Sequence, residues 1–286
     1  MALLPDPTPN STPSTPLPRI LCLHGGGTSA TIFKIQTRHL ARTLAPYFRL
    51  IYVDGPFPSD AGPGVLPVFV DCGPYYRWMP PESFEDVEAG VQEQVVAARR
   101  TRERVVDAIK RDEEREVEKA GGKGGVGEVV GVLGFSQGAR MAAGLLADQA
   151  ASGDEKGITG MPEWKFGVLL CGSYPPYSIA NAGKRPEEFK GAKDEHGVLE
   201  PPAEHEVMGD VPTVHVRGLR DPHLEKGRRL GRYFGGEKEE MEFEMGHYLP
   251  QAAGDVASGG KNATVEIRDA ILRAWRKSQG EEGGVN

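Results

Sequence analysis

The 286 residues carry a formal net charge of −7 at pH 7, with an isoelectric point near 5.6 and a mean hydropathy of −0.41. That length suits one large domain or two small ones, and the acidic balance offers no basic stripe for a nucleic-acid surface. No apolar run approaches the ~20 residues of a membrane span.

In chain order, residues 1–18 are rich in Pro, Ser and Thr and read as a disordered segment without the basic and apolar regions of a secretory signal. Order begins with a short buried strand, Arg19-Ile-Leu-Cys-Leu-His24, that runs into Gly25-Gly26-Gly27-Thr28-Ser29. Three glycines after a strand let exposed backbone N–H groups approach a ligand closely. One helix is expected next, capped by Thr28 or Ser29, with Ile32, Phe33, Gln36, Leu40 and Leu44 on one face and Pro46 as its stop. Phe48–Val53 is a second strand ending at Asp54-Gly55-Pro56.

Phe57 to Pro81 has no strand period. It holds Gly73-Pro74-Tyr75-Tyr76-Arg77-Trp78-Met79, either a Pro-rich connection or the wall of an apolar pocket, with Tyr75, Tyr76 and Trp78 as candidate substrate contacts. A long helical pattern starts at Phe84, with Val87, Val91, Val95, Val96, Val105, Val106 and Ile109 as its apolar positions, and runs through a charged half to Lys119. The closing run Gly122-Lys-Gly-Gly-Val-Gly127 satisfies G-x-G-x-x-G, but it precedes a strand instead of following one. It reads as a flexible loop, not a dinucleotide site.

The chain is organised around Glu128 to Leu146. An apolar, β-branched run leads into Gly134-Phe135-Ser136-Gln137-Gly138, and small residues and leucines follow. This reads as strand, sharp turn and helix, with a serine at the tip and glycines where side chains would collide. Phe166–Gly172 is another buried strand. Tyr174 to Asp210 is a polar insertion, either a cap or a disordered excursion. Val211–Arg217 is a strand leading to Asp221-Pro222, and a short helix from His223 to Tyr233 follows. Met241–Met245 is the last strand, before Gly246-His247-Tyr248. The final helix spans about Thr264 to Lys277, and residues 279–286 form a flexible tail. Strands alternating with helices mean a mostly parallel α/β sheet flanked by helices, one domain over 19–278 with cap-like insertions.

Ser136, Asp221 and His247 each directly follow a strand, and the carboxyl ends of parallel strands share one edge. A serine hydroxyl needs a base to take its proton, histidine can accept and return it, and a carboxylate fixes the ring's tautomer. The expected oxyanion donors are the backbone N–H groups of Gln137 and of the Gly25–Gly27 loop, Gly26 by preference. Asp54 is the rival acid. His24 reads as a structural prop, His215 as packed, and His39, His196 and His205 as surface residues; His223 lies too close in sequence to Asp221 to pair with it easily. No His/Cys/Asp spacing points to a metal, and the chemistry needs no cofactor. Cys22, Cys72 and Cys171 are sparse and odd in number, as free thiols of a reducing compartment are, so the expected location is cytoplasmic.

Five motifs, Arg19-Ile-Leu-Cys-Leu-His-Gly-Gly-Gly-Thr, Gly-Pro-Tyr-Tyr-Arg-Trp, Gly-Phe-Ser-Gln-Gly-Ala, His-Val-Arg-Gly-Leu-Arg-Asp-Pro and Gly-His-Tyr-Leu-Pro, resemble the eukaryotic serine hydrolase (FSH) family of α/β-hydrolases from about Pro18 to Trp275. The resemblance implies the α/β-hydrolase fold and a carboxylic ester hydrolase or thioesterase with Ser136, Asp221 and His247 as triad. That family includes fungal enzymes that release a polyketide acyl chain from a synthase carrier protein, which makes an acyl carrier protein an expected partner. The elbow is also similar to that of acyl-protein thioesterases of general metabolism. The charged stretch near Glu113 and the Tyr174–Asp210 insertion depart from the family pattern. The alternative class is a hydrolase fold that binds a hydrophobic ligand without cutting it.

Overall fold

Parallel strands covered on both faces read as near-continuous apolar runs, and those around Leu21, Val132 and Val168 are buried throughout. The computed structural model describes residues 16–80, 87–122, 124–152, 160–180, 211–250 and 262–280. The chain runs β1 (Arg19–Leu23), α1 (Ala30–Gln36), α2 (Arg38–Leu44), β2 (Arg49–Val53), β3 (Phe57–Ser59), β4 (Tyr75–Arg77), α3 (Val87–Lys119), β5 (Val129–Phe135), α4 (Gln137–Ala151), β6 (Phe166–Leu170), β7 (Thr213–Gly218), α5 (Leu224–Tyr233), β8 (Lys238–Phe243) and α6 (Ala263–Ser278).

Six strands pair in parallel in the order β2-β1-β5-β6-β7-β8. Successive side chains point to opposite faces. Ile20 and Cys22 therefore join one core with Phe33, Leu44, Ile267 and Ile271 of α1, α2 and α6. Leu21 and Leu23 join the other with Val105, Met141, Leu145 and Leu230 of α3, α4 and α5. This is the α/β-hydrolase architecture expected from the sequence. The chain leaves β1 for β2 on one side and returns to β5 on the other, so strand order reverses between β1 and β5. A crevice opens at such a reversal, beyond the carboxyl ends of the strands. Leu23 lies opposite Gly134 there, which makes the glycine loop and the serine turn neighbours, one strand spacing of about 4.8 Å apart.

Four elements differ from expectation. The single helix after Ser29 is two, broken at Thr37, whose hydroxyl donates to the Phe33 carbonyl and pairs with the Tyr52 hydroxyl, each at 2.7 Å. A threonine that bonds back to the preceding turn bends a helix. The stretch from Phe57 contains a two-stranded antiparallel ribbon, β3 with β4, where the sequence reads as loop. On α3, Val95 and Val96 are 45% and 36% exposed, whereas Ala98, Thr101, Val105, Ile109 and Asp112 form the buried stripe. Asp112 sits there because it receives Arg19 at 2.9 Å and both Nη atoms of Arg49 at 2.6 Å. Finally, β8 begins at Lys238 and ends before Met245. It is an edge strand, where charged residues are at home, and its Glu239, Glu240 and Glu242 pair with Arg273, Arg217 and Arg228.

Apart from 16–18 and 279–280, the two terminal segments lie outside the described residues, as do Phe84, His196, His205 and the insertion from 181 to 210. The start of that insertion is anchored on α4. Asp148 accepts the Ser178 hydroxyl and the N–H groups of Ile179 and Ala180, the latter two at 2.7 and 3.0 Å. No helix among the described residues is long and apolar enough to cross a membrane.

Candidate active site

The turn between β5 and α4 holds Ser136 at φ 52°, ψ −115°, in the left-handed region that a side chain rarely adopts. A side chain on Gly134 would overlap the Gly138 carbonyl and Ala139, and one on Gly138 would overlap the carbonyl oxygens of Leu23 and His24. Both glycines are thus steric requirements of the turn. The Ser136 N–H donates to the Leu170 carbonyl at 2.9 Å, which ties the turn to β6.

His247 follows β8 in a loop stitched to the end of β7: the N–H groups of Leu219 and Arg220 donate to the carbonyls of Phe243 and Met245 at 2.8 and 3.0 Å. The stitch brings the Asp221 and His247 turns together. His247 Nδ1 lies 2.7 Å from Asp221 Oδ2 and its Nε2 lies 2.8 Å from Ser136 Oγ. A carboxylate accepts, so Nδ1 carries the proton and Nε2 is left to accept from the serine hydroxyl. The second oxygen of Asp221 accepts the His223 N–H at 2.8 Å. Asp221 is 7% exposed, and the Phe135 ring packs against the imidazole with centroids 5.3 Å apart. The three expected residues therefore meet at one edge.

Two backbone N–H groups beside the turn are unengaged: among the described residues neither the Gly26 nor the Gln137 N–H donates to a protein acceptor, whereas the Gly27 N–H is committed to the Tyr76 carbonyl at 2.9 Å. His24 is a strut: its Nε2 accepts the Gly55 N–H at 2.8 Å, and its Nδ1 reaches the Gly25 carbonyl at 2.6 Å. Burial pushes this imidazole below its ordinary range, against the opposing pull of the Gly25 bond and the Asp54 charge, so it stays neutral. Asp54, the rival acid, instead accepts the Ala30 N–H at the start of α1, at 2.7 Å. His215 is packed against Phe234 and held by Thr213, His39 is half-buried, and His223 is exposed.

The aromatic candidates divide. Tyr75 and Tyr76 are half-buried; the Tyr75 hydroxyl donates to the Phe69 and Val70 carbonyls, and the Tyr76 backbone bridges to Thr28. Trp78 is wholly buried and offers a substrate no surface. Its indole N–H donates to the His24 carbonyl at 2.9 Å, and its backbone N–H donates to Gln137 Oε1 at 2.7 Å.

Sequence reasoning missed two neighbours. One is the Gln137 side chain, expected only for its backbone. The other is Cys171, directly after β6 at φ 48°, whose Sγ lies within 4.8 Å of ligand-type atoms of both Asp221 and His247. Its position just past a strand end, shared with the triad residues, was the available signal. Burial and the Asp221 charge push this thiol up to about 12. Both ring nitrogens of His247 are engaged, Nδ1 by Asp221 and Nε2 by Ser136.

A family described as Serine hydrolase (FSH1) matches residues 14–258. A "Probable esterase" of Aspergillus terreus is 37% identical over 271 residues, covering 91% of this chain and 92% of its own. "Esterase pigG" of Monascus ruber is 37% identical over 258 residues, covering 85% and 88%. Among solved structures, acyl-protein thioesterase 2 of Zea mays aligns over 92% of this chain and 96% of its own, with 16% identity and a TM-score of 0.47.

Proposed function

Because the chain belongs to the serine hydrolase (FSH1) family, we propose that it cleaves a carboxylic ester or acyl thioester through an acyl-serine intermediate, with Ser136, His247 and Asp221 as its triad. One observation carries this reading: an unbroken relay from Asp221 through His247 to the Ser136 hydroxyl, at 2.7 and 2.8 Å.

Ser136 Oγ attacks the acyl carbon as its proton passes to His247 Nε2, and the Asp221 carboxylate stabilises the imidazolium. Negative charge collects on the carbonyl oxygen, where the Gly26 and Gln137 N–H groups and the start of α4 receive it. Collapse of this intermediate expels the alkoxide or thiolate, which takes the proton back from His247. The same imidazole then activates a water that hydrolyses the acyl-serine and regenerates the hydroxyl. Every proton is accounted for by these groups, and no cofactor takes part.

Replacing Ser136 by Ala tests the reading. Turnover of a short p-nitrophenyl ester falls by at least about a thousandfold and labelling by a fluorophosphonate probe is lost; retained turnover or labelling overturns it.

The substrate class is narrower in our reading. Release of a polyketide or fatty acyl chain from an acyl carrier protein is supported by the five family motifs, and the half-buried Tyr75 and Tyr76 remain our candidates to meet it. An acyl-loaded carrier protein is the test: release above the Ser136→Ala background supports this, and release equal to it refutes it. We place the chain in the cytoplasm, a reading supported by Cys22, Cys72 and Cys171 all being free thiols.

A further inference from the structure

An oxyanion hole made of two backbone N–H groups works only if their separation is fixed before the substrate arrives. Here one donor sits on the first residue of a helix and the other in a run of three glycines, the least restrained backbone available. What holds the second donor therefore matters.

Both ends of the glycine run are tied down. At the start, the His24 carbonyl accepts the Trp78 indole N–H at 2.9 Å and the His24 ring accepts the Gly55 N–H. At the far end, the Gly27 N–H donates to the Tyr76 carbonyl at 2.9 Å and the Tyr76 N–H donates to the Thr28 carbonyl at 2.7 Å. The middle residue, Gly26, has the Gln137 amide laid beside it. A Cβ built on Gly26 would stand 3.3 Å from Gln137 Cδ and Oε1 and 3.4 Å from Nε2. The same amide accepts the Trp78 backbone N–H at 2.7 Å, which settles its orientation, since only the oxygen can accept. Elbow, aromatic strand end and glycine run are thus joined in series: Gln137 to Trp78, Trp78 to His24, and the amide face of Gln137 back against Gly26. The wholly buried Trp78 ring is the fixed point of that chain.

We propose that the Gln137 side chain and Trp78 are positioning residues that together set the spacing of the Gly26 and Gln137 N–H donors. The inference rests on the oxyanion-hole reading above and extends it to groups that never touch the substrate. It also gives the burial of Trp78 a purpose that a pocket wall does not have.

Gln137→Met keeps the length and removes the acceptor; Trp78→Phe keeps a buried ring and removes the indole donor. With a short p-nitrophenyl ester, each variant is expected to lose about 10- to 100-fold in kcat, the cost of donors displaced by up to about an ångström, with KM little changed. A boronic acid that mimics the tetrahedral intermediate is expected to bind more weakly by the same factor. Because the two links act in series, the double variant is expected to be no worse than the worse single one. Wild-type kcat in either single variant overturns the proposal, as do multiplicative losses in the double variant, or kcat losses with unchanged boronate affinity. If Gln137→Met fails to fold, Trp78→Phe with the boronate alone decides. Ser136→Ala assayed beside them separates the readings: full activity there defeats the triad itself, whereas an inactive Ser136→Ala with an unaffected Gln137→Met defeats only the tie.

Discussion

Ser136 and Cys171 are the two non-glycine residues with positive φ among the described residues, and they end adjacent strands, joined by the bond from the Ser136 N–H to the carbonyl of Leu170. Backbone strain of this kind concentrates where function needs it. The serine uses it to present its hydroxyl. The cysteine uses it to turn the chain away from β6 and set its sulfur close to Asp221.

That setting makes Cys171 inert. A thiol pushed up to about 12 is almost wholly protonated at pH 8, and the thiolate is the reactive form. Cys22 is buried and raised as well, whereas Cys72 is half-buried. In the native protein iodoacetamide at pH 8 is expected to modify Cys72 first and leave Cys171 untouched, with activity retained; peptide mass mapping reads this directly. Early modification of Cys171 would contradict the placement.

Two aspartates end strands near the site, and their contacts assign them opposite fates. Asp221→Asn leaves a group that can present N–H to His247 Nδ1 and favours the wrong tautomer, so kcat is expected to fall by about three to four orders of magnitude. Asp54→Asn keeps an oxygen for the Ala30 N–H and is expected to hold kcat within about twofold of wild type, by comparison of active-site-titrated enzymes.

Asp112 carries a pH signature. Burial alone would raise its carboxyl, but the hydrogen bonds and charges of Arg49 and Arg19 outweigh that and hold it below its ordinary 3.8. A carboxyl lowered in the folded state contributes stability that is present above 3.8 and is lost as the pH falls below it. The urea midpoint of wild type is therefore expected to exceed that of Asp112→Asn at pH 6 and to converge on it toward pH 2. Asp112→Ala is expected to cost up to about 3 kcal/mol at pH 6, since it takes one of two carboxylate partners from the buried Arg19.

The elbow glycines allow a steric test. Gly138→Ala puts a methyl group into two backbone carbonyls, which cannot swing aside as a side chain can. A loss of about 1–3 kcal/mol in stability is expected, together with most of the activity. Gly125→Ala meets only ordinary contact with Pro16 and is expected to melt within a few degrees of wild type; thermal denaturation compares the two.

The convergence of Ser136, Asp221 and His247 was legible because each sits past an apolar run, and strand ends in a parallel sheet share an edge. The elbow was legible because two glycines flank the serine at fixed spacing. The ribbon of β3 and β4 was not, because strands of three residues, one of them Pro58, show no alternation. The buried face of α3 was read only in part: Val105 and Ile109 lie on it as expected, but Ala98, Thr101 and Asp112 share it while Val95 and Val96 face water, and a stripe set partly by small residues and a paired acid has a weak apolar period. The part played by Gln137 depends on Trp78, 59 positions away, and no local pattern announces it.

His247 hangs from one of the two edge strands of the sheet. β8 has a neighbour on one side only and is held by its ladder to β7 and by ion pairs of Glu239, Glu240 and Glu242, whereas the serine rises from β5 in the interior of the sheet. Outer strands fray at lower free-energy cost than inner ones. Warming is therefore expected to loosen the segment that carries the imidazole before the interior unfolds, so that activity declines ahead of the melting transition.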